Sequence, residues 1–164
     1  MQYFITTLIL MASFAGLAQN GTATTEKKKF SRTTTINEII NAEPSIIWSI
    51  LTDASDYPRW NSTIVSIEGE IQKGEKIRLQ STLDSSRTFK LKIKEVIPDQ
   101  KLVWGDAMGK RTFTLQKTAS GTLFTMTEKI GGLMFPLFAN KIPSFDKSFE
   151  AFTMDLKKEA ESIN

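Results

Sequence analysis

Arg111 and Glu128 are the two residues whose types and spacing promise most chemistry in this chain. They lie in "KRTFTLQK" and "TLFTMTEK", separated by the turn signal "TASG" at 118–121. If that signal closes a tight hairpin, Lys117 faces Thr122, Leu115 faces Phe124 and Phe113 faces Met126. The last two pairs are apolar and belong on a buried face. Side chains alternate along a strand, so Arg111 and Glu128 share that inner face and stand opposite each other. An unpaired charge there is costly, so an inward Arg and Glu should pair or meet water.

Three readings of such a pair compete. It is a structural ion pair where solvent reaches the sheet's end, a polar anchor in an apolar ligand pocket, or part of a catalytic site. A carboxylate locked on an arginine suits charge stabilisation better than general-base work, which weighs against the third. Composition adds weight in the same direction. The chain has no histidine and no cysteine. The commonest general base, the commonest metal ligand, thiolate chemistry and disulfides are therefore all excluded. No cofactor is indicated, and any metal would rest on oxygen ligands alone.

The elements that must position the pair can be read from periodicity. Residues 33–44 are β-branched and end at Glu43-Pro44, a first strand and its turn. Pro44 opens a short helix with Ile47, Ile50 and Leu51 on one side. Six further strands follow at 64–69, 76–82, 88–97, 102–106, 111–117 and 123–130, separated by "QKG", "LDSS", "PDQ", "AMGK" and "TASG". The clearest is "FKLKIK": Phe89, Leu91 and Ile93 alternate with Lys90, Lys92 and Lys94. One apolar and one charged face mark an antiparallel sheet with one side in water. The final segment carries Phe145, Phe149, Phe152, Leu156, Ala160 and Ile163 at helical spacing. Such a stripe must fold against the apolar face of the sheet.

Residues 5–18 are apolar and end in small side chains, the shape of a secretory signal, with residues 1–18 removed and the protein exported. The stretch is short for a span of about 20 residues, so no stable membrane span is expected after cleavage. Residues 19–32 read as a polar linker and 33–164 as the folded domain. The 21 Lys and Arg against 18 Asp and Glu leave a net charge of +3. This excess is too dispersed for a nucleic-acid partner. The densest run, Lys27-Lys28-Lys29 with Arg32, reads as solvated linker rather than as a lipid-headgroup or nucleic-acid contact. The apolar connection "GGLMFPLF" at 131–138 is either a hinged lid or core packing under the helix, and packing is the simpler reading, since it needs no motion. Pro143 opposes a continuous helix from Phe138 onward.

In order and landmarks the chain resembles the SRPBCC superfamily of START-like and polyketide cyclase-like helix-grip proteins. The matching pieces are "IIWSILTDASDYPRWN", "SIEGEIQKGEKIRL", "KLVWG", "FTLQKTASGTLFTMTEKIGG" and "FEAFTMDLKKEAE", spread over residues 33–162. The resemblance implies an α+β fold in which seven antiparallel strands wrap a long C-terminal helix and leave a cavity. It implies a partner that is a small apolar ligand, lipid or polyketide-like. The walls would be Leu79, Phe89, Trp104, Phe113 and Met126 from the sheet, with Phe145, Phe149 and Phe152 from the helix. Trp60, at the Arg-Trp-Asn corner, would stand near the entrance or plug the core, and Arg111 and Glu128 would be the polar contacts. A cyclase- or lyase-like enzyme, or a protein-interaction module with a filled interior, remain the alternatives, because fold alone does not fix function.

Overall fold

The structure, a computed structural model, describes residues 21–163. The segment read as an export signal, 1–18, lies outside the described residues. Eight strands form one sheet: β1 (Thr24–Lys28), β2 (Ser31–Ile40), β3 (Ile64–Glu68), β4 (Lys76–Ser81), β5 (Asp84–Ile97), β6 (Lys101–Gly105), β7 (Gly109–Thr118) and β8 (Gly121–Gly131). Their order is β1-β2-β8-β7-β6-β5-β4-β3, and each neighbour pair is antiparallel. Two short helices, α1 (Pro44–Thr52) and α2 (Tyr57–Trp60), join β2 to β3. After β8 come the single turn α3 (Phe135–Phe138), a 3-10 turn at Ala139–Lys141, and the long helix α4 (Asp146–Ile163).

The strand count is one more than the seven expected. The added strand, β1, lies within the stretch read as linker, and β2 also starts inside it. "TTEKK" has no apolar alternation because it is an edge strand with solvent on most sides. Backbone pairing with β2 holds it, and lysines on an exposed edge discourage further pairing. The second correction concerns β5, which begins at Asp84 rather than at 88. "LDSS" is therefore mostly strand. Asp84 to Thr88 are all exposed, so burial imposed no pattern there to read.

The core follows the expected stripes. On α4, Phe149, Phe152, Leu156 and Ala160 are buried against the sheet, together with Thr153. Ile163, the last member of the expected stripe and the last residue of the helix, is 57% exposed. Phe145 precedes the helix and is half-buried. Pro143 stands in the break between the 3-10 turn and α4, as its missing N–H requires.

Asp146 fastens edge strand β1 to the start of α4. Its carboxylate accepts hydrogen bonds from Thr25 Oγ1 (2.5 Å) and Ser144 Oγ (2.8 Å). These bonds, Thr25's first, hold its pKa below the ordinary carboxylate value, with the charges of Arg32 and Lys27 assisting and burial opposing. A depressed folded pKa stabilises the fold fully above the unfolded value, near pH 4, and the contribution disappears as pH falls through the folded pKa. Asp146→Asn should therefore cost about 1 kcal/mol at neutral pH. Its melting temperature should converge on that of the parent below about pH 4. A gap that persists unchanged in acid would refute the assignment.

Candidate functional site

The β7–β8 register is the one that "TASG" implies. Arg111 faces Glu128, Phe113 faces Met126, Leu115 faces Phe124 and Lys117 faces Thr122. Arg111 Nε donates to Glu128 Oε2 at 2.6 Å, with the two side chains only 17% and 15% exposed. The pair lies toward the end of the inner face, where the apolar core gives way to a cavity.

That cavity has a volume of about 240 Å³ and lies between the sheet and the segment entering α4. Leu79 of β4, Phe89 and Leu91 of β5 and Trp104 of β6 form one wall; Arg111, Glu128 and Ile130 form the other. Ile142, Pro143, Phe145 and Ser148 close it from the helix side. Its lip is the tight β6–β7 turn, where Asp106 Oδ1 accepts the N–H groups of Met108 (2.7 Å) and Gly109 (2.9 Å). Gly105 permits this turn: a Cβ there would lie 2.2 Å from the Gly109 carbonyl oxygen.

Six of the expected ligand-wall residues line this space: Leu79, Phe89, Trp104, Arg111, Glu128 and Phe145. The other five do not. Trp60, Phe113, Met126, Phe149 and Phe152 are packed in the solid core beneath it. Trp60 stands 4.9 Å from the Tyr57 ring and edge-on to Phe152 at 5.6 Å, and Phe113 lies 5.9 Å from Phe152. Trp60 therefore plugs the core rather than lining the entrance, and its indole Nε1 is buried without a hydrogen-bond partner. Tyr57 donates its hydroxyl to the Leu51 carbonyl at 2.8 Å, and complete burial raises its pKa. The physical reason for the division is depth. Phe113 and Met126 on the sheet, Phe149 and Phe152 on the buried face of α4 and Trp60 on α2 all belong to one packed core. The cavity is instead closed from the helix side by Phe145 and Ser148, at and before the first turn of α4.

Arg32 is the residue that sequence reasoning misplaced. It was grouped with the solvated lysines, yet it is only 8% exposed and points inward from β2. Its Nη1 and Nη2 donate to the carbonyls of Ile142 (3.1 Å) and Pro143 (2.7 Å). Burial lowers its pKa from the ordinary value, and the nearby charges of Asp146 and Glu128 oppose that shift. Strand parity carries the missed signal, since Arg32 shares it with Thr34, Ile36 and Ile40, all buried. Arg32 lies 4.7 Å from the Phe145 ring centre and Arg111 lies 5.1 Å from that of Phe149. Those two rings stack at 6.2 Å with 7° between their planes. Each ring of the stack thus has its own cation, which helps fix Phe145 at the cavity wall.

Glu38, also inward and 6% exposed, pairs with Lys157 of α4 away from the cavity. Among the described residues no group of acidic side chains is arranged to hold a metal ion.

A curved antiparallel sheet gripping a long C-terminal helix, with a hollow at one end of their interface, defines the helix-grip architecture of the SRPBCC superfamily. Residues 41–160 match the family described as Activator of Hsp90 ATPase homolog 1-like protein, and the chain belongs to that family. No curated protein matches the chain. Among solved structures it is similar to protein MLL2253 of Mesorhizobium loti, with 18% identity and a TM-score of 0.64 over 81% of this chain and 99% of that one. Protein NE0264 of Nitrosomonas europaea is similar at 13% identity and TM-score 0.62, over 84% and 98% of the two chains. DynU16, a protein of the dynemicin biosynthetic locus, matches 80% of this chain over 48% of its own length, with 16% identity and TM-score 0.61. At these identities the likeness shows the fold.

Proposed function

We propose that this protein binds or carries a small apolar molecule in the cavity between β4–β8 and the entry to α4. The observation that carries the reading is a hollow walled by Leu79, Phe89, Leu91, Trp104 and Phe145, with the Arg111–Glu128 ion pair inside it and further polar side chains, Asp84, Arg87 and Lys141 among them, in its lining. Apolar walls supply affinity, about 25 cal/mol for each Å² removed from water, and one charged pair fixes orientation. The volume sits just below the roughly 300–1,000 Å³ of drug-sized sites, so the occupant is small or enters by one end. Arg111 marks that end as polar or acidic, since a guanidinium presents a fork of donors suited to a carboxylate.

Titration with an anionic naphthalene sulfonate dye tests this reading. Saturable binding of one dye, with energy transfer from Trp104, is expected. Leu79→Trp and Ser148→Phe, which fill the space from opposite walls, should each weaken it by about tenfold or more. Unchanged dye affinity in both folded variants would remove the cavity from the account.

A further inference from the structure

Leu133 and Leu137 are the most exposed large apolar side chains among the described residues, at 83% and 73%. Met134 between them is 59% exposed. All three lie on the connection from β8 to α4, which was expected to pack into the core. Only Phe135 does so. The connection departs from Gly132, whose φ of +135° few other residues tolerate. Apolar side chains grouped outward on a short connection mark a surface that something covers.

The sheet register shows what surrounds them. β2 begins, β8 ends and β7 begins at this same end, because Ser31 pairs with Gly131 and Gly109 with Ile130. The β1–β2 and β6–β7 turns there expose two more apolar side chains, Phe30 and Met108. A groove of about 530 Å³ joins Lys27, Lys28 and Lys29 to Phe135, Pro136 and Ala139. A second groove brings Lys110 and Lys129 beside Phe30 and Met108. Lys141 adds another exposed cation. The carboxylates that line or border these grooves are engaged: Glu26 with Lys28 at 3.2 Å, Asp146 with the hydroxyls of Thr25 and Ser144, and Asp106 with the backbone of its own turn. The end is therefore apolar at its tip and cationic at its rim.

We propose that this end docks on an anionic lipid surface. Leu133, Met134 and Leu137 enter the boundary between headgroups and acyl chains, and the lysine rim meets the lipid phosphates. The long aliphatic stems of lysine suit that rim, lying along apolar surface while the ammonium stays with the headgroups. A bilayer fits better than a protein partner because the apolar tip is small and the rim carries an excess of lysines drawn from several separate elements. The cavity opens at the same end: Met108, Lys141 and Ile142 all line it. An apolar ligand would thus pass between bilayer and cavity without crossing water.

The chain has no cysteine, so single labels are unambiguous. The full chain carrying Leu137→Cys is labelled with an environment-sensitive fluorophore and mixed with phosphatidylglycerol vesicles bearing nitroxide acyl chains. Ser120→Cys, on the β7–β8 turn at the opposite end of the sheet, is the control. Strong quenching at 137 and little at 120 is expected, lost with phosphatidylcholine vesicles and reduced by salt. Leu133→Asp should weaken the response about tenfold. Lys27→Glu and Lys29→Glu should weaken it about fivefold each, or more. Because the readout compares two ends of one molecule, a tether through residues 5–18 does not produce it. Equal quenching at both positions, none at either, or the same response to both vesicle types would overturn the proposal. Dye binding in the cavity is read separately, so either result can fail without the other.

Discussion

Phe152→Ala is expected to lower the free energy of unfolding by about 3–5 kcal/mol, the range for deleting a fully enclosed aromatic ring. Phe152 is 1% exposed and sits where three parts of the fold meet. Its ring lies 6.3 Å from Tyr57 and 5.6 Å from Trp60 on α2, and 5.9 Å from Phe113 on β7. Those neighbours are themselves locked, Tyr57 by burial and by its bond to Leu51, so the space cannot readily collapse. Phe145→Ala makes the contrast. That ring is half-buried on the cavity wall and borders space that already exists, so its loss should cost less stability and more dye affinity. Urea midpoints at unchanged slope measure the difference. If Phe145→Ala proved the more destabilising, the boundary drawn between core and cavity would be wrong.

Arg111→Met is expected to cost about 1–3 kcal/mol, because it leaves the Glu128 carboxylate largely enclosed without its 2.6 Å partner. The full 3–5 kcal/mol of a wholly buried broken pair does not apply, since both side chains retain some solvent contact. Glu128→Gln should cost less, as an amide can still accept a hydrogen bond from the guanidinium. The double variant Arg111→Met/Glu128→Leu should recover part of the loss, because no charge is then stranded. Affinity for the anionic dye should separate these effects. It should fall about tenfold with Arg111→Met and in the double variant, yet be kept in Glu128→Gln. A double variant whose loss equals the sum of the losses of Arg111→Met and Glu128→Leu measured singly would show that the two groups act independently.

The inner ion pair was legible because parity is a strict rule: once "TASG" closes the hairpin, every partner down to Arg111 and Glu128 follows. The α4 stripe was legible for the same reason at a different period. What failed were places where no burial pattern exists or where composition was read instead of parity. β1 is polar on both faces, and the first residues of β5 are wholly exposed, so neither alternates. Arg32 was judged by its lysine neighbours, although its position on β2 fixes it inward. Depth is a further gap. Parity placed Trp104 and Phe113 on one face, but only the point where α4 begins to cover the sheet puts the first beside the cavity and the second beneath the helix. The connection at 131–138 is too short for either period, which is why its outward leucines were read as core.

The hollow itself is tested most directly by native mass spectrometry of the full chain beside its Leu79→Trp variant, followed by solvent extraction of each. Wild-type protein should carry a non-covalent adduct of small mass that extraction releases as an apolar compound, and Leu79→Trp should run bare. An adduct equally abundant in both would show that whatever binds does so elsewhere, and the cavity would lose its claim to function.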